Sequence, residues 1–264
     1  MGKIIAVASH KGGVGKTTTA LNLGFSLSRF GQKILLIDGD PQGAMAIASN
    51  LKKRTKRGLI DLLRHECTAE DVVILTKDKT MAILGNGVTE PEDVFFFERE
   101  ARTGNLGKVI RSVVKGYDYV LIDSPAGTGN IVTALLGISN SIIMPINCRT
   151  IAVKTLPTFL KLTRRIREKF NTDLHIEGVV ITMIDPRDSE MCEELRAALP
   201  RSALFETLIP FDAYFEKASS KSVPVAMLSG GAAAGRSYMD LAMELKAREV
   251  RDQKIKDEEV EGLF

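Results

Sequence analysis

The segment from Lys11 to Thr18, KGGVGKTT, combines three closely spaced glycines with two lysines and two threonines. It follows the apolar run Ile4–Ala8, and its last residues open a helical pattern. Glycines let a backbone turn tightly and bring its N–H groups against phosphate oxygens, and a helix N-terminus adds partial positive charge. We therefore predict a phosphate-binding loop in which Lys16 reaches the β- and γ-phosphates and the Thr17 hydroxyl ligates Mg²⁺.

The first position of this loop departs from the common pattern G-x-x-x-x-G-K-[ST]. That pattern would place a glycine at position 10, where this chain has His10, and an additional lysine, Lys11, follows. A second ammonium group near the γ-phosphate would stabilise the charge that spreads over its oxygens during phosphoryl transfer. From the residues alone, Lys11 acts either in this way or as a solvated loop charge.

Two acidic segments also follow apolar runs. KILLIDGDPQGA places Asp38 at a strand end and Asp40 in the next loop, and YDYVLIDSPAG places Asp123 at another strand end, before the loop Ser124–Gly127. Carboxylates at the carboxyl ends of parallel strands face the ligand crevice, where they can orient Mg²⁺ or an attacking water. Because Mg²⁺ needs few protein ligands, we predict Thr17, Asp40 and Asp123 as the metal set. An aspartate after a strand is also a common turn signal.

The elements that must position these residues alternate along the chain, and several apolar runs are continuous, as in strands covered on both faces by helices. The predicted strands are Ile4–Ala8, Ile34–Ile37, Met81–Leu84, Tyr119–Ile122, Ser141–Ile146 and Val179–Met183. The predicted helices are Lys16–Phe30, Leu106–Val114, Ile131–Gly137, Val153–Phe170, Ser189–Ala198 and Ser237–Arg251. This order predicts an α/β fold with a doubly wound, mostly parallel β-sheet flanked by helices, in one domain over residues 1–264. We expect the tail after about residue 250 to be a helix end or a frayed terminus.

Composition narrows the possible environments. Of the 264 residues, 44% are hydrophobic and 26% are charged, as in a globular protein with a sizeable core. No apolar run reaches the roughly 18 residues of a transmembrane helix, and the first strand begins too early for a signal peptide, so we expect a cytoplasmic protein. The wide spacing of Cys67, Cys148 and Cys192 favours neither a disulfide framework nor a metal site. A net charge of +3 permits a polyanionic partner without requiring one.

The loop Lys11–Thr18 resembles the deviant Walker A motif of the ParA/MinD family of ATPases. The likeness covers nearly the whole chain, is thinnest between residues 51 and 102, and is closest to the ParA (Soj-like) partitioning branch. It implies a P-loop NTPase fold of the deviant Walker A type, ATP and Mg²⁺ as cofactors, and a homodimer that forms on ATP binding.

The resemblance also assigns roles to individual residues. It implies that Lys11 crosses the dimer interface and touches the phosphates of the partner's ATP. It implies that Asp40, in the family's second motif, positions the hydrolytic water with Asp38 in support. The predicted catalytic residues are therefore Lys11, Lys16 and Asp40.

Two later segments, EGVVITMIDPRD and LIPFDAYFEKASSKSVPV, resemble those that lie beside the adenine and ribose in the family. The resemblance carries Met183, Pro210 and Asp212 over as nucleotide contacts. From the residues alone, Pro210 reads equally well as a loop proline, and Asp212 as the N-cap of a helix over Ala213–Ser219. The predicted nucleotide-binding residues are Lys11, Gly12, Gly13, Val14, Gly15, Lys16, Thr17, Thr18, Asp123, Met183, Pro210 and Asp212.

The partitioning branch binds DNA without sequence preference, which requires clustered cations that displace counterions from phosphates. The candidate clusters are Lys52, Lys53, Arg54, Lys56 and Arg57, and the helix with Lys161, Arg164, Arg165, Arg167 and Lys169. The predicted DNA-binding residues are Arg164, Arg165, Arg187, Lys217 and Lys221. Many partition proteins carry arginine after the Ile-Pro pair, whereas this chain has Phe211, so part of that surface differs. A charge run is otherwise a solvated face.

Other cargoes stay open at this point. A MinD-like membrane-associated positioning ATPase is the alternative, but acidic residues precede Val260, Leu263 and Phe264, and anionic lipid would repel them, so we expect no stable membrane anchoring. The iron-protein relatives need paired cysteines that this chain lacks. We predict a nucleoid-associated protein of a prokaryote, reset by a ParB-like or other adaptor that stimulates hydrolysis, with a plasmid, a chromosome or another assembly as cargo.

Overall fold

A computed structural model describes residues 2–43, 45, 56–76, 79–147, 150–185, 189–221 and 223–261. The strands are β1 (Lys3–Val7), β2 (Ile34–Asp38), β3 (Val73–Leu75), β4 (Met81–Leu84), β5 (Tyr119–Asp123), β6 (Ser141–Asn147), β7 (His175–Ile184) and β8 (Leu204–Pro210). All six predicted strands are present, and β3 and β8 are additional.

The strands form one sheet in the order β3-β4-β2-β5-β1-β6-β7-β8. Every neighbouring pair is parallel except β3 with β4, which is antiparallel. The residues of β2 and β5 are buried throughout, which explains their continuous apolar sequence. The predicted doubly wound, mostly parallel sheet is confirmed.

The helices are α1 (Lys16–Arg29), α2 (Leu59–Leu63), α3 (Ala69–Val72), α4 (Pro91–Thr103), α5 (Asn105–Val113), α6 (Asn130–Leu136), α7 (Thr150–Lys169), α8 (Ser189–Ala198), α9 (Ala213–Lys221) and α10 (Ala232–Glu261). Helix α10 extends well past the predicted end at Arg251, so the charged tail continues a helix. Helices α2 to α4 lie in the region where sequence patterns predicted none. No helix in the described ranges is long and apolar enough to cross a membrane.

Helices cover both faces of the sheet. On one face, α1 and α10 pack through residues such as Leu27 and Leu241. On the other face, α4 to α6 pack through residues such as Phe97, and α7 and α8 pack through residues such as Phe159. Consecutive residues of the central strand β1 alternate between these two cores. The loop after β1 consequently leaves the sheet at its centre, which fixes the position of the glycine-rich segment.

Candidate functional site: a phosphate-binding crevice at the carboxyl edge of the sheet

We call the edge where the parallel strands end the carboxyl edge, and the opposite edge the amino edge. Strands β1, β2 and β5 reach the carboxyl edge in register, with Val7 beside Asp123 and Asp38 also beside Asp123. Backbone hydrogen bonds connect the ends of these strands: Ser124 N donates to Val7 O at 3.2 Å, and Gly39 N donates to Asp123 O at 2.9 Å. The glycine-rich loop and both acidic segments therefore meet at one place, as predicted.

The loop between β1 and α1 has the backbone that its glycines permit. Gly13 and Gly15 have φ angles of 70° and 83°, in the left-handed region that side chains other than glycine rarely adopt. Helix α1 begins at the next residue, Lys16. A buried hydroxyl from β7 holds the loop against the sheet, because Thr182 Oγ1 donates to Val14 O at 2.9 Å. The α1 N-terminus and the turn before it thus have the form of an anion cradle.

Lys16 lies inside this cradle. Its side chain curls back over the loop, and Nζ donates to the carbonyl oxygen of Lys11 at 3.2 Å. The residue is only 8% exposed, and this burial lowers its pKa, although the nearby carboxylates of Asp123 and Asp40 act in the opposite direction. No ion pair joins Lys16 to a described carboxylate, so its ammonium group is available to an anionic ligand. Lys11 itself is half-buried at the start of the loop.

Thr17 and Asp123 form the polar floor of the crevice. Thr17 Oγ1 donates to Asp123 Oδ2 at 2.6 Å. The other carboxylate oxygen, Asp123 Oδ1, is buried and has no hydrogen-bond partner among the described residues. Burial raises the pKa of Asp123 to about 7, and the nearby Asp40 adds to this, while Thr17 and Lys16 lower it.

These residues fit a magnesium ion. A buried carboxylate with one free oxygen, next to a hydroxyl and near a second carboxylate, supplies the hard oxygen donors that Mg²⁺ prefers. The described residues contain no group of three or more His, Cys, Asp or Glu side chains suited to a metal. A metal bound here would therefore take most of its ligands from a nucleotide and water, with Thr17 and Asp123 on the protein side and Asp40 near them.

The loop after β2 is held by an internal network. Asp38 is fully buried, and its Oδ1 accepts the N–H of Asp40 at 3.2 Å. Asp40 Oδ1 in turn accepts the N–H of Gln42 at 3.0 Å. The carbonyl oxygen of Asp40 accepts hydrogen bonds from Asn86 Nδ2 and from the N–H of Gly43. Asp38 thus fixes the backbone of Asp40.

Sequence reasoning missed two of these anchoring residues. Asn86 follows β4 at the carboxyl edge, and Thr182 is a polar residue inside the apolar strand β7. Both had a signal in the sequence. A buried polar residue in an apolar run must find a hydrogen-bond partner, and an asparagine just after a strand end lies at the ligand edge.

The structure brings one of the predicted adenine-side residues to the loop. Met183 lies at the end of β7 with a φ of 56°, and its Cε is 3.6 Å from the position that a Cβ on Gly15 would take. Pro210 ends β8 next to Ile184. Asp212 caps α9, because its Oδ1 accepts the N–H of Tyr214 at 2.7 Å, which is the helix-capping alternative recognised in the sequence.

The predicted DNA-binding residues fall into two separate patches. Arg164 and Arg165 are exposed on α7, and Arg164 Nε pairs with Glu168 at 2.9 Å. Arg164 also lines a cavity with residues at the start of β7, which places it toward the amino edge. Lys217 and Lys221 are exposed on α9, which follows the carboxyl end of β8. Arg187, Lys52, Lys53 and Arg54 lie outside the described residues.

The chain combines a parallel sheet, a glycine-rich loop after the central strand, a helix that begins at Lys-Thr, and an aspartate at the end of the adjacent strand. This combination defines a P-loop nucleotide-binding protein. Residues 2–176 match the family model AAA_31, described as an AAA domain. Soj of Bacillus subtilis (strain 168), a sporulation initiation inhibitor protein, is 32% identical over 255 residues, covering 94% of this chain and 99% of that protein. The chromosome-partitioning ATPase Soj of Treponema pallidum is 33% identical over 254 residues, with the same coverage of 94% and 99%.

The chain therefore belongs to the AAA_31 family and is a homologue of the Soj/ParA ATPases, as the resemblance of its loop predicted. Solved structures agree on the fold. The septum site-determining protein MinD from Pyrococcus horikoshii OT3, complexed with Mg-ADP, has a TM-score of 0.77 at 23% identity and covers 93% of this chain and 96% of its own. Apo McdA from Cyanothece has a TM-score of 0.77 at 21% identity, covering 93% and 100%.

Proposed function

We propose that this protein is a Mg²⁺-dependent ATPase of the partitioning type, which cycles between an ATP-bound dimer on DNA and a released state. One observation carries the enzymatic part of the proposal. The P-loop presents a buried, unpaired ammonium group beside a hydroxyl and a buried carboxylate with a free oxygen. This combination suits a nucleoside triphosphate with its metal, and the MinD structure of the same fold was solved with Mg-ADP.

The residues of the crevice have distinct tasks in this proposal. Lys16 neutralises charge on the β- and γ-phosphates, and the loop N–H groups hold the same oxygens in place. Thr17 and Asp123 would hold Mg²⁺, which would supply positive charge beside the phosphates. Asp40, fixed by Asp38 and Asn86, orients the attacking water. No covalent intermediate with the protein is needed, because catalysis of this kind consists of positioning and charge stabilisation.

Lys11 extends the proposal from one subunit to two. Its carbonyl oxygen is occupied by Lys16, but no described residue accepts a hydrogen bond from its ammonium group. In a face-to-face dimer, that group would reach the γ-phosphate of the partner's ATP and complete the charge stabilisation there. Hydrolysis would consequently depend on dimerisation and would be slow in the isolated subunit.

The DNA surface that we propose lies on α9. Lys217 and Lys221 follow the carboxyl end of β8, so they lie toward the same edge of the sheet as the crevice. Lys217 lies over the ring of Tyr214, with Nζ 4.6 Å from its centroid. Arg164, by contrast, is already paired with Glu168 and lies toward the opposite edge. We therefore expect α9 to contribute more to ATP-dependent DNA binding than α7.

The test uses the Asp40→Ala protein with ATP and Mg²⁺, because loss of the water-orienting carboxylate should lock the ATP dimer. We expect a dimer by light scattering, retention on random duplex DNA that falls steeply with salt, and no pelleting with anionic liposomes. Asp173→Ala, at an exposed position, is the matched control and should cycle normally. Lys11→Ala should retain ATP binding and lose hydrolysis.

Matched double variants locate the DNA surface. Lys217→Gln with Lys221→Gln and Arg164→Gln with Arg165→Gln each remove two charges from an exposed helix face. We expect the first pair to weaken DNA retention more than the second, with ATP affinity unchanged in both. A monomeric Asp40→Ala protein, or normal turnover in Lys11→Ala, would contradict the dimer. Pelleting with liposomes in place of DNA retention would replace partitioning with a MinD-like membrane role.

A further inference from the structure

A second cavity, with a volume of about 1180 Å³, lies at the amino edge, opposite the crevice. Its lining includes the residues at which β1, β5 and β7 begin, which places it across the sheet from the P-loop. We call it the amino-edge basin. The lining residues that matter here are Lys33, Arg111, Lys115, Tyr117, Asp118 and Glu249.

One wall of the basin is helix α10, and a partly buried polar network fixes this wall to the sheet. Glu249 on α10 accepts a hydrogen bond from Lys3 Nζ at 2.9 Å and another from the hydroxyl of Tyr119. Lys3 also pairs with Glu177 on β7, whose side chain is only 2% exposed. Three strands and α10 thus share one set of bonds, so the basin has a defined shape.

This network uses the acidic groups around the basin. Glu177 is occupied by Lys3 and lies 3.4 Å from His175 Nε2, and Glu249 is occupied by Lys3 and Tyr119. The two carboxylates share the single ammonium group of Lys3, so the network offsets only part of the positive charge at the rim.

Three cations remain at the rim. All three are exposed: Lys33 lies between α1 and β2, Arg111 near the end of α5, and Lys115 between α5 and β5. They make no ion pair within the described part of the chain. Among the lining residues named above, Asp118 is the acidic residue outside this network. Its Oδ2 accepts the backbone N–H of Lys33 at 2.8 Å. The rim therefore carries an excess of positive charge over a concave surface.

We propose that the amino-edge basin binds a small anion that carries two or more phosphate groups. Three cations that line one concave surface suit a compact polyanion, and a cavity of about 1180 Å³ is large enough to admit one. Arginine and lysine together are the side chains that hold phosphate oxygens, arginine through two parallel N–H bonds and lysine as a point charge. Gly116, in the loop between Lys115 and Tyr117, has open space around its Cα and leaves its backbone accessible to such a ligand.

This site is separate from the proposed ATP site, because the length of strand β1 lies between them. Its test therefore uses a protein in which the P-loop has been weakened. Sodium tripolyphosphate is titrated, without Mg²⁺, into the full chain carrying Lys16→Ala. Calorimetry gives the affinity, and amide NMR shifts at Gly116 and Tyr117, compared with those at Gly13 and Gly15, locate the bound anion. We expect binding with shifts at the first pair.

Two triple variants in the same background provide the decisive comparison. Replacing the three rim cations with glutamine, as Lys33→Gln, Arg111→Gln and Lys115→Gln, should weaken tripolyphosphate binding by at least about tenfold. The matched control, Lys79→Gln with Arg102→Gln and Arg201→Gln, removes the same charge from exposed positions that do not line the basin and should bind as the parent does.

Several results would overturn the proposal: absence of binding, equal affinity in both triple variants, or amide shifts confined to the P-loop. Duplex DNA that displaces tripolyphosphate and depends on the same three cations would assign the basin to nucleic acid, and would also overturn it. Failure of the ATPase proposal is recognised separately, through ATP turnover and the Asp40→Ala protein, neither of which enters this titration.

Discussion

Lys16 and Lys3 lie at opposite edges of one sheet, and each has two carboxylates in its surroundings. At the amino edge, Lys3 pairs with both Glu177 and Glu249. At the carboxyl edge, Lys16 is more deeply buried, yet within the described part of the chain its ammonium group donates only to a backbone carbonyl. Ammonium and carboxylate groups thus pair with one another at the amino edge, whereas at the carboxyl edge they form no ion pair among the described residues.

The pKa values express this difference. Burial opposes ionisation of Glu177, but hydrogen bonds and charge from His175 and Lys3 prevail and lower its pKa to about 2. Asp123 is also buried, but its partners do not compensate, and its pKa rises to about 7. The amino edge therefore stabilises the fold, whereas the carboxyl edge holds charge in an unfavourable state that a bound cation and polyphosphate would relieve.

The largest effect that this comparison predicts is on ATP affinity. Lys16→Ala removes the unpaired ammonium group from the P-loop, and we expect ATP binding to weaken by about a hundredfold or more. Calorimetric titration with Mg-ATP measures this change. Lys3→Ala is the counterpart at the amino edge and should leave ATP affinity unchanged while it lowers the free energy of unfolding. Equal ATP affinities in the two variants would remove the distinction between the edges.

The next prediction concerns Asp123, where stability and function should move in opposite directions. Because the folded-state pKa of about 7 lies above the ordinary value of 3.8, the nucleotide-free protein loses stability as pH rises from about 4 to 7, and stays less stable above that range. Asp123→Asn removes this carboxylate. At pH 8, in the absence of metal, we expect the free energy of unfolding to rise by about 2 kcal/mol, with a flatter profile between pH 4 and 7.

Urea unfolding across pH measures that gain, and ATP turnover measures the accompanying loss, which should be nearly complete. Asp173→Asn removes an exposed carboxylate and should change neither quantity. If Asp123→Asn is less stable than the parent at pH 8, the carboxyl edge is not strained in the way described.

The sequence predicted the centre of this fold better than its borders. The central strands are buried on both faces, and their continuous apolar runs predicted them. Strand β3 has three residues that are half-buried or exposed, and β8 mixes buried and exposed positions, so neither produced a clear pattern. Helix α4 could have been found, because Pro91 at its start and the acidic residues after it are typical of a helix N-terminus.

The candidate site likewise contains residues that a short segment positions and residues that depend on contacts between distant segments. Thr17 and Asp123 lie within hydrogen-bond distance of each other, and a short motif and the strand before each of them fix their positions locally. Asn86 reaches Asp40, and Thr182 reaches the P-loop, only through the order and register of β4 and β7. Those long-range contacts are not encoded in any short segment, so they became visible only in the structure.

The amino edge yields the third prediction. Glu177→Gln should lower the free energy of unfolding at pH 7 by about 3 kcal/mol, because it leaves the ammonium group of Lys3 with one carboxylate fewer in a partly buried site. Since the folded-state pKa of Glu177 is about 2 against an ordinary value of 4.5, its contribution is fully present above about pH 5. The difference between variant and parent should then shrink as pH falls toward 2.

Denaturant titrations at several pH values test this prediction. Glu168→Gln, which removes an exposed partner of Arg164, is the control and should change stability by less than about 1 kcal/mol. ATP affinity should stay at the parent value in both variants. A large fall in ATP affinity in Glu177→Gln would mean that the two edges are coupled through the sheet.

The smallest predicted effect distinguishes anchoring from catalysis within the carboxyl edge. Asn86 Nδ2 donates to the carbonyl oxygen of Asp40, and at the amino edge Asn171 Nδ2 makes two comparable bonds, to the carbonyl oxygens of Leu136 and Ser139. Replacing either asparagine with alanine removes buried hydrogen bonds and should lower stability by about 1–2 kcal/mol. Only Asn86→Ala also frees the loop that carries Asp40.

We therefore expect kcat for ATP hydrolysis to fall by about fivefold in Asn86→Ala, since a misplaced water-orienting group weakens positioning without removing it. ATP affinity should not change, because the P-loop is untouched. Asn171→Ala should keep the parent kcat despite a similar loss of stability, which separates a positioning effect from general destabilisation. Equal kcat values in the two variants would show that Asn86 serves the fold in the same way as Asn171, and that the other bonds of the loop suffice to hold Asp40.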